Sequence, residues 1–351
     1  MRRRPVLLLS LALMLSLTGC QTRSGKDAKR QDDAETTSET SASEPGAEPV
    51  LQPWDTAWIV YWDSGQQEEL SALSGEVRSV CLFSCLYDED GEVVIPDGID
   101  ALSELADKLS FPTVYLSFTN DVRSFDGSVT QKDAMFLPVL WADSDRAQKT
   151  VQDMLEAVRA AGANAVEIDF ENIGDSGQWG EFEAFLRELL TRAQEEGFPV
   201  RAVLGSDTPV EEISLPEGAV YTVMCYNLYG THSGPGPKAD LAFLRKTAQR
   251  FSALPDMRYA LATGGFEWDS ADKVTRSLTQ AQAEEIAEQR RREPERDASS
   301  MALSFTYRDG LSRYTVWYAD AVTLAAWQQE IASVDPDARF DLWRVGGNRF
   351  E

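Results

Sequence analysis

The chain has 351 residues, of which 43% are hydrophobic and 10% aromatic, enough to bury a large core and to exclude disorder for most of its length. A formal charge of −25 argues against a nucleic-acid partner, which calls for a basic face. The single histidine, His232, rules out a three-histidine zinc site and would have to serve any serine–histidine or cysteine–histidine machinery, so carboxylates, tyrosines and tryptophans are left to carry the chemistry.

Arg2, Arg3 and Arg4 precede an apolar run from Val6 to Leu17 that is shorter than a membrane span of ~20 residues. The run ends in Leu17-Thr18-Gly19-Cys20, which resembles a bacterial lipobox. Residues 1–19 are therefore expected to be a lipoprotein signal peptide and Cys20 the lipidated residue. From Gln21 to about Pro53 the chain is rich in Ser, Thr, Glu, Asp, Ala and Pro and holds no aromatic residue, the composition of a flexible tether. The expected location is extracytoplasmic, with lipid alone making the membrane attachment.

From Trp54 onward, apolar runs alternate with amphipathic stretches. The strand candidates are 58–62, 77–85, 113–119, 163–171, 200–204, 219–227, 257–263 and 340–345. Helical patterns fill 146–161, 180–196, 238–251 and 320–333, and Gly162 and Gly197 sit where C-terminal glycines belong. Eight such repeats predict an α/β fold, a closed (β/α)8 TIM barrel over residues 54–351. No Gly-x-Gly-x-x-Gly turn suggests an open dinucleotide-binding sheet. The chain exceeds a typical barrel by about 50 residues. The surplus fits a small α+β insertion at about 266–318, between the seventh and eighth strands. Within it a charged helix (280–292) leads to two extended runs joined across Asp309-Gly310, a hairpin expected to wall the cleft. Cys81 and Cys85 lie in one strand ~13 Å apart and cannot bridge, so with Cys225 they are expected as buried thiols.

The fourth strand reads Asn164-Ala165-Val166-Glu167-Ile168-Asp169-Phe170-Glu171. Side chains alternate, so the apolar set faces the helices while Glu167, Asp169 and Glu171 point inward, where packing alone would place Val or Leu. Acids spaced ~7 Å apart in a poorly solvated interior cannot all ionise cheaply, and at least one pKa is expected to rise. A carboxylic acid that keeps its proton near neutral pH suits general-acid cleavage of a glycosidic bond. The same pattern would also fit a solvated acidic face of an antiparallel strand; the repeated βα context favours the interior site.

This segment resembles the Asp-Gly-x-Asp-x-Asp-x-Glu signature of glycoside hydrolase family 18, the chitinase-like barrels. Met224-Cys225-Tyr226-Asn227 is similar to that family's Met-x-Tyr-Asp. Asp341-Leu342-Trp343-Arg344-Val345-Gly346 resembles its terminal Trp-Arg-Leu-Gly strand. The Ser-Gly-Pro-Gly-Pro loop at 233–237 and Trp317-Tyr318-Ala319-Asp320 match the branch acting on spore cortex and cell wall. The resemblance spans about residues 55–347 and implies a retaining, substrate-assisted hydrolase of β-linked N-acetylglucosamine glycans, needing neither metal nor cofactor and acting as a monomer. Such enzymes depart from the usual two-carboxylate scheme. It implies Glu171 as the acid, Asp169 as the group assisting the 2-acetamido nitrogen, and Tyr226 as donor to the acetamide oxygen. Trp343 would stack on the sugar, and Asn227, Met224, Glu167, Trp62 and Tyr61 would border it. By position alone Trp343, Trp62 and Tyr226 fit packed core residues equally well, and His232 reads as a surface residue. This chain departs from the family at Asn164-Ala165 for Asp-Gly, at Glu167 for the first strand aspartate and at Asn227 for the aspartate after the tyrosine. These leave open a non-catalytic glycan-binding barrel; a transporter-feeding lipoprotein would need two lobes.

Overall fold

The structure, a computed structural model, describes residues 49–350 apart from 64 and 272. The expected signal peptide, Cys20 and the tether as far as residue 48 lie outside the described residues. The tether's expected end at Pro53 comes a little too late. Gln52 is already docked, its N–H donating to Gln328 Oε1 (2.7 Å) and its carbonyl accepting from Gln328 Nε2 (3.2 Å).

In chain order the elements are β1 (Trp54–Val60), α1 (Gln66–Ala72), β2 (Val77–Asp88), β3 (Val93–Val94), α2 (Ile99–Lys108), β4 (Val114–Arg123), β5 (Val129–Thr130), α3 (Leu137–Leu140), α4 (Ser144–Ala160), β6 (Ala165–Asp169), α5 (Ser176–Glu196), β7 (Val200–Leu204), β8 (Val220–Met224), α6 (Leu241–Phe251) and β9 (Met257–Ala262). There follow β10 (Gly264–Trp268), β11 (Val274–Leu278), α7 (Gln280–Gln289), β12 (Glu295–Arg296), β13 (Leu303–Asp309), β14 (Ser312–Ala319), α8 (Ala321–Ala332) and β15 (Phe340–Trp343).

Strands β1, β2, β4, β6, β7, β8, β9 and β15 pair in parallel in that order, and β15 returns to β1, closing the (β/α)8 barrel. All eight expected strands are there. The first begins earlier than expected, at Trp54, because Trp54 and Thr56 already pair with Val77 and Ser79 of β2. Helix starts follow local chemistry. Asp143, Asp240 and Asp320 cap α4, α6 and α8 by accepting from Arg146, Phe243 and Thr323 N–H groups at 2.9, 2.7 and 2.8 Å. The sixth helix therefore begins at Leu241, after its cap, and not at Lys238. Gly162 (φ 67°) and Gly197 (φ 75°) hold left-handed conformations just past α4 and α5, as expected of helix stops.

One apolar core lies between barrel and helices, including Ile59, Leu116, Ile168 and Leu342 from the outward faces of strands. Inside the barrel a second cluster gathers Trp58, Cys81, Tyr115, Ala165, Val203 and Ala260. All three described cysteines are free and buried.

The insertion between the seventh and eighth barrel strands is a five-stranded antiparallel sheet, ordered β11-β10-β14-β13-β12, with α7 on it. Its own core includes Leu278, Ile286, Phe305 and Val316. Asp309 pairs with Ser312 where β13 turns into β14, as Asp309-Gly310 predicts. Thr279 and Gln282 form a reciprocal capping box on α7. Close packing within the sheet needs Gly265, where a Cβ would stand 1.7 Å from the Trp317 carbonyl oxygen.

Candidate active site at the carboxyl ends of the strands

The inward acids of β6 meet different fates along one strand. Glu167 is fully buried and does not border the cavity, so its expected substrate contact is not made. The cause is register: β6–β7 pairing sets Glu167 beside Arg201, which is equally buried. Arg201 Nε donates to Glu167 Oε2 at 2.7 Å, its Nη2 also contacts that oxygen, and its Nη1 lies 3.5 Å from Asp341 of β15. Trp58 Nε1 (2.8 Å) and Cys81 Sγ (3.2 Å) donate to Glu167 Oε1. The guanidinium is packed between Trp58 and Tyr115, 4.6 and 4.4 Å from their ring centres. Burial opposes the charge on Arg201, but Glu167 and Asp341 more than offset it and raise its pKa.

Two residues further, Asp169 ends the strand and Glu171 lies beyond it. Asn120 of β4 holds the Glu171 backbone from both sides, accepting from its N–H at 2.9 Å and donating to its carbonyl at 3.0 Å. Both carboxylates border a cavity of about 730 Å³. Lys132, in the loop after β5, reaches into it and bridges them, 2.7 Å from Asp169 Oδ2 and 2.9 Å from Glu171 Oε1. Burial works against the Lys132 charge, yet the two carboxylates raise its pKa above the ordinary lysine value. Burial pushes the Glu171 pKa up, Asp169 adds to the rise, and Lys132 opposes it. A rise is what the crowding of acids on this strand predicts. Asp169 Oδ1 is buried with no hydrogen-bond partner among the described residues.

Tyr226, two residues past β8, is buried against the same cavity, and burial, then the charges of Asp169 and Glu171, raise its pKa well above the tyrosine value. Its hydroxyl is thus held protonated, a donor on a residue that shares the cavity with Asp169. Aromatic side chains build the opposite wall in a chain of edge-to-face contacts: Trp58–Trp343 (5.8 Å), Trp343–Phe83 (4.8 Å), Phe83–Trp62 (6.0 Å) and Trp62–Tyr61 (4.9 Å). Tyr61 and Trp62 lie in the turn after β1 rather than in the strand, 38% and 54% exposed. Such rings suit the apolar faces of pyranose sugars.

A second cavity of about 640 Å³ shares Glu171, Met224, Tyr226 and Asn227 with the first, so open space flanks Glu171 on two sides. The exposed His232 borders this second space. The β13–β14 hairpin borders neither cavity, contrary to expectation. The insertion instead supplies Ser277, Leu278, Thr279 and Gln282 to a third space of about 450 Å³ beside Trp62 and Trp343. Sequence reasoning missed Trp58, Lys132, Arg201 and Asp341. A lone arginine in Val200-Arg201-Ala202-Val203-Leu204 and a lone aspartate in Phe340-Asp341-Leu342-Trp343 were signals of a buried pair; Lys132, in a polar loop, carries no such signal. No three His, Cys, Asp or Glu side chains are grouped to hold a metal among the described residues.

No family model matches the chain, and no curated protein matches it in sequence. Solved structures do. The spore cortex-lytic enzyme SleL of Bacillus cereus superposes with a TM-score of 0.69 at 15% identity, over 86% of this chain and 72% of that one. A chitinase of Chromobacterium violaceum gives 0.69 at 17% identity, covering 84% and 95%. A mutant class V chitinase of Nicotiana tobaccum, crystallised with NAG4, gives 0.67 at 11% identity, covering 85% and 95%. The chain therefore has the chitinase-like (β/α)8 fold, with its inward acids at the end of the fourth barrel strand.

Proposed function

We propose that the chain is a retaining, substrate-assisted hydrolase of β-linked N-acetylglucosamine-containing glycans, peptidoglycan or chitin-like oligosaccharides, working at the cell surface from a lipid on Cys20. The observation that carries this reading is the buried, unpartnered Oδ1 of Asp169, a residue that borders the same cavity as Glu171 and Tyr226. A buried acceptor without a donor costs about 1–3 kcal/mol, a penalty that a substrate N–H would remove.

Glu171, its pKa raised, protonates the glycosidic oxygen and the leaving sugar departs. The substrate's 2-acetamido carbonyl attacks the anomeric carbon from the opposite face, forming an oxazolinium ion. Asp169 Oδ1 accepts from the acetamido N–H and offsets the charge that develops there. The Tyr226 hydroxyl donates to the acetamide oxygen and holds it in line for attack. Glu171, now ionised, takes a proton from water, and the water opens the oxazolinium ring with overall retention. Trp343 and its aromatic neighbours stack the sugar at the cleavage site, with Asn227 and Met224 at its border. Open space on both sides of Glu171 supports cleavage within a glycan rather than only at its end.

A non-catalytic glycan-binding role is the second reading, favoured by the Lys132 ion pair that occupies the acid. Full-length protein incubated with chitooligosaccharides and with peptidoglycan strands separates the two. New reducing ends are expected from the parent and about 10²–10⁴-fold fewer from Glu171→Gln. Binding by both without turnover would establish the lectin.

A further inference from the structure

Lys132 stands in the wrong place for an acid catalyst at rest. Its ammonium sits between the two carboxylates that the proposed reaction needs, and its charge opposes the proton that Glu171 must carry. The backbone of Lys132 is fixed: its N–H donates to Asp121 Oδ1 at 2.9 Å and its carbonyl accepts from Asn172 Nδ2 at 2.9 Å. The side chain is not sealed in. It is 21% exposed and faces the 730 Å³ cavity, and a lysine's flexible stem lets its charge change partners without moving the main chain.

We propose that Lys132 is a positioning residue that answers to the substrate: its ammonium leaves the Asp169–Glu171 pair for a carboxylate on the sugar beside the scissile bond, and only then does Glu171 take a proton from solvent. The inference rests on the hydrolase reading above. A neutral glycan offers the ammonium nothing to replace two carboxylates, and a ligand shifts such an equilibrium only by its differential affinity for the two arrangements. Muramic acid bears a lactyl group on O3, adjacent to the O4 that Glu171 would protonate, and in strands freed of peptide that group ends in a carboxylate. The groups facing Glu171 are Asp169 from β6, Lys132, Asp121 from β4, and Tyr226 after β8, with Arg123, Asp97 and Tyr61 on the same cavity. Lys132 is the cation that bridges the pair, so its departure leaves Asp169 to favour the protonated acid.

The test uses the full chain, the parent beside Lys132→Met and Lys132→Arg. The substrates are amidase-stripped peptidoglycan strands, the same strands with carboxylates converted to methylamides, and chitooligosaccharides of matching length. The parent should prefer the carboxylated strands by roughly tenfold or more in kcat/KM, the effect of one ion pair in a partly buried site. Methylamidation and Lys132→Met should each erase that preference, and Lys132→Arg should retain it. Lys132→Met should also cleave the neutral substrate faster and keep activity to higher pH, because the charge opposing Glu171 protonation is gone. An equal slowing of all substrates with an unmoved high-pH limb would make Lys132 merely structural and overturn the inference. Turnover that needs Glu171 but shows no carboxylate preference in the parent would overturn it while leaving the hydrolase reading intact. If no variant turns over any substrate, the hydrolase reading and the proton step fail together. Calorimetric binding of stripped against methylamidated strands then decides whether Lys132 recognises the carboxylate.

Discussion

Glu167 and Asp169 are two residues apart on one face of one strand, yet they occupy different kinds of site. Both oxygens of Glu167 are taken, one by Trp58 and Cys81 and the other by Arg201, and no part of it meets solvent. Asp169 has one oxygen on Lys132 and the other without a partner among the described residues. The Glu167 carboxylate is finished by protein groups, whereas the Asp169 carboxylate, on the cavity, keeps a valence for a ligand. Function is therefore concentrated where the barrel's own packing stops, as the carboxyl ends of barrel strands generally allow.

That contrast can be broken from either side. The largest effect is expected from Arg201→Met, which leaves Glu167 and Asp341 buried without their cation; denaturant unfolding should show a loss of about 3–5 kcal/mol. If stability holds, Glu167 and Arg201 are not the closed ion pair described. Asp169→Asn should do the opposite, leaving the unfolding midpoint nearly unmoved while kcat drops roughly 10²-fold, the scale of losing one preorganised electrostatic contact. Tyr226→Phe removes only a hydroxyl from a buried ring and should lower kcat by about tenfold, with less effect on stability.

The pH dependence sharpens the comparison further. The acid must be protonated, so rate falls as pH rises through the Glu171 pKa. Because that pKa is raised, the falling limb should lie above the usual carboxylate value of ~4.3, and a limb at or below it would remove Glu171 from the role. Thr279→Ala, which touches neither Glu167 nor Asp169, should cost only about 1 kcal/mol through its capping box and leave the pH profile unchanged.

Much of the molecule is legible in its sequence. Alternation of apolar runs and amphipathic stretches gave the barrel, surplus length and Asp309-Gly310 gave the insertion, and period two put three acids inside. The errors have identifiable causes. The pattern starts the first strand too late, at Trp58, because Trp54-Asp55-Thr56 holds polar residues that the structure buries, Thr56 bonded to Ser79 at 2.9 Å. A hairpin beside a barrel mouth reads as a cleft wall, yet it is the end of β11 and the start of α7, and not β13–β14, that line the space beside Trp62 and Trp343.

Local patterns settled what each strand could present to the barrel interior, since alternation and capping act over a few residues. They could not settle which acid would be silenced and which left available. Arg201 is 34 residues from Glu167, Lys132 is 37 from Asp169, and Asp341 is 140 from Arg201. Sheet register and barrel closure bring Glu167, Arg201 and Asp341 together, the loop after β5 delivers Lys132, and a carboxylate's chemistry depends on the partner that arrives.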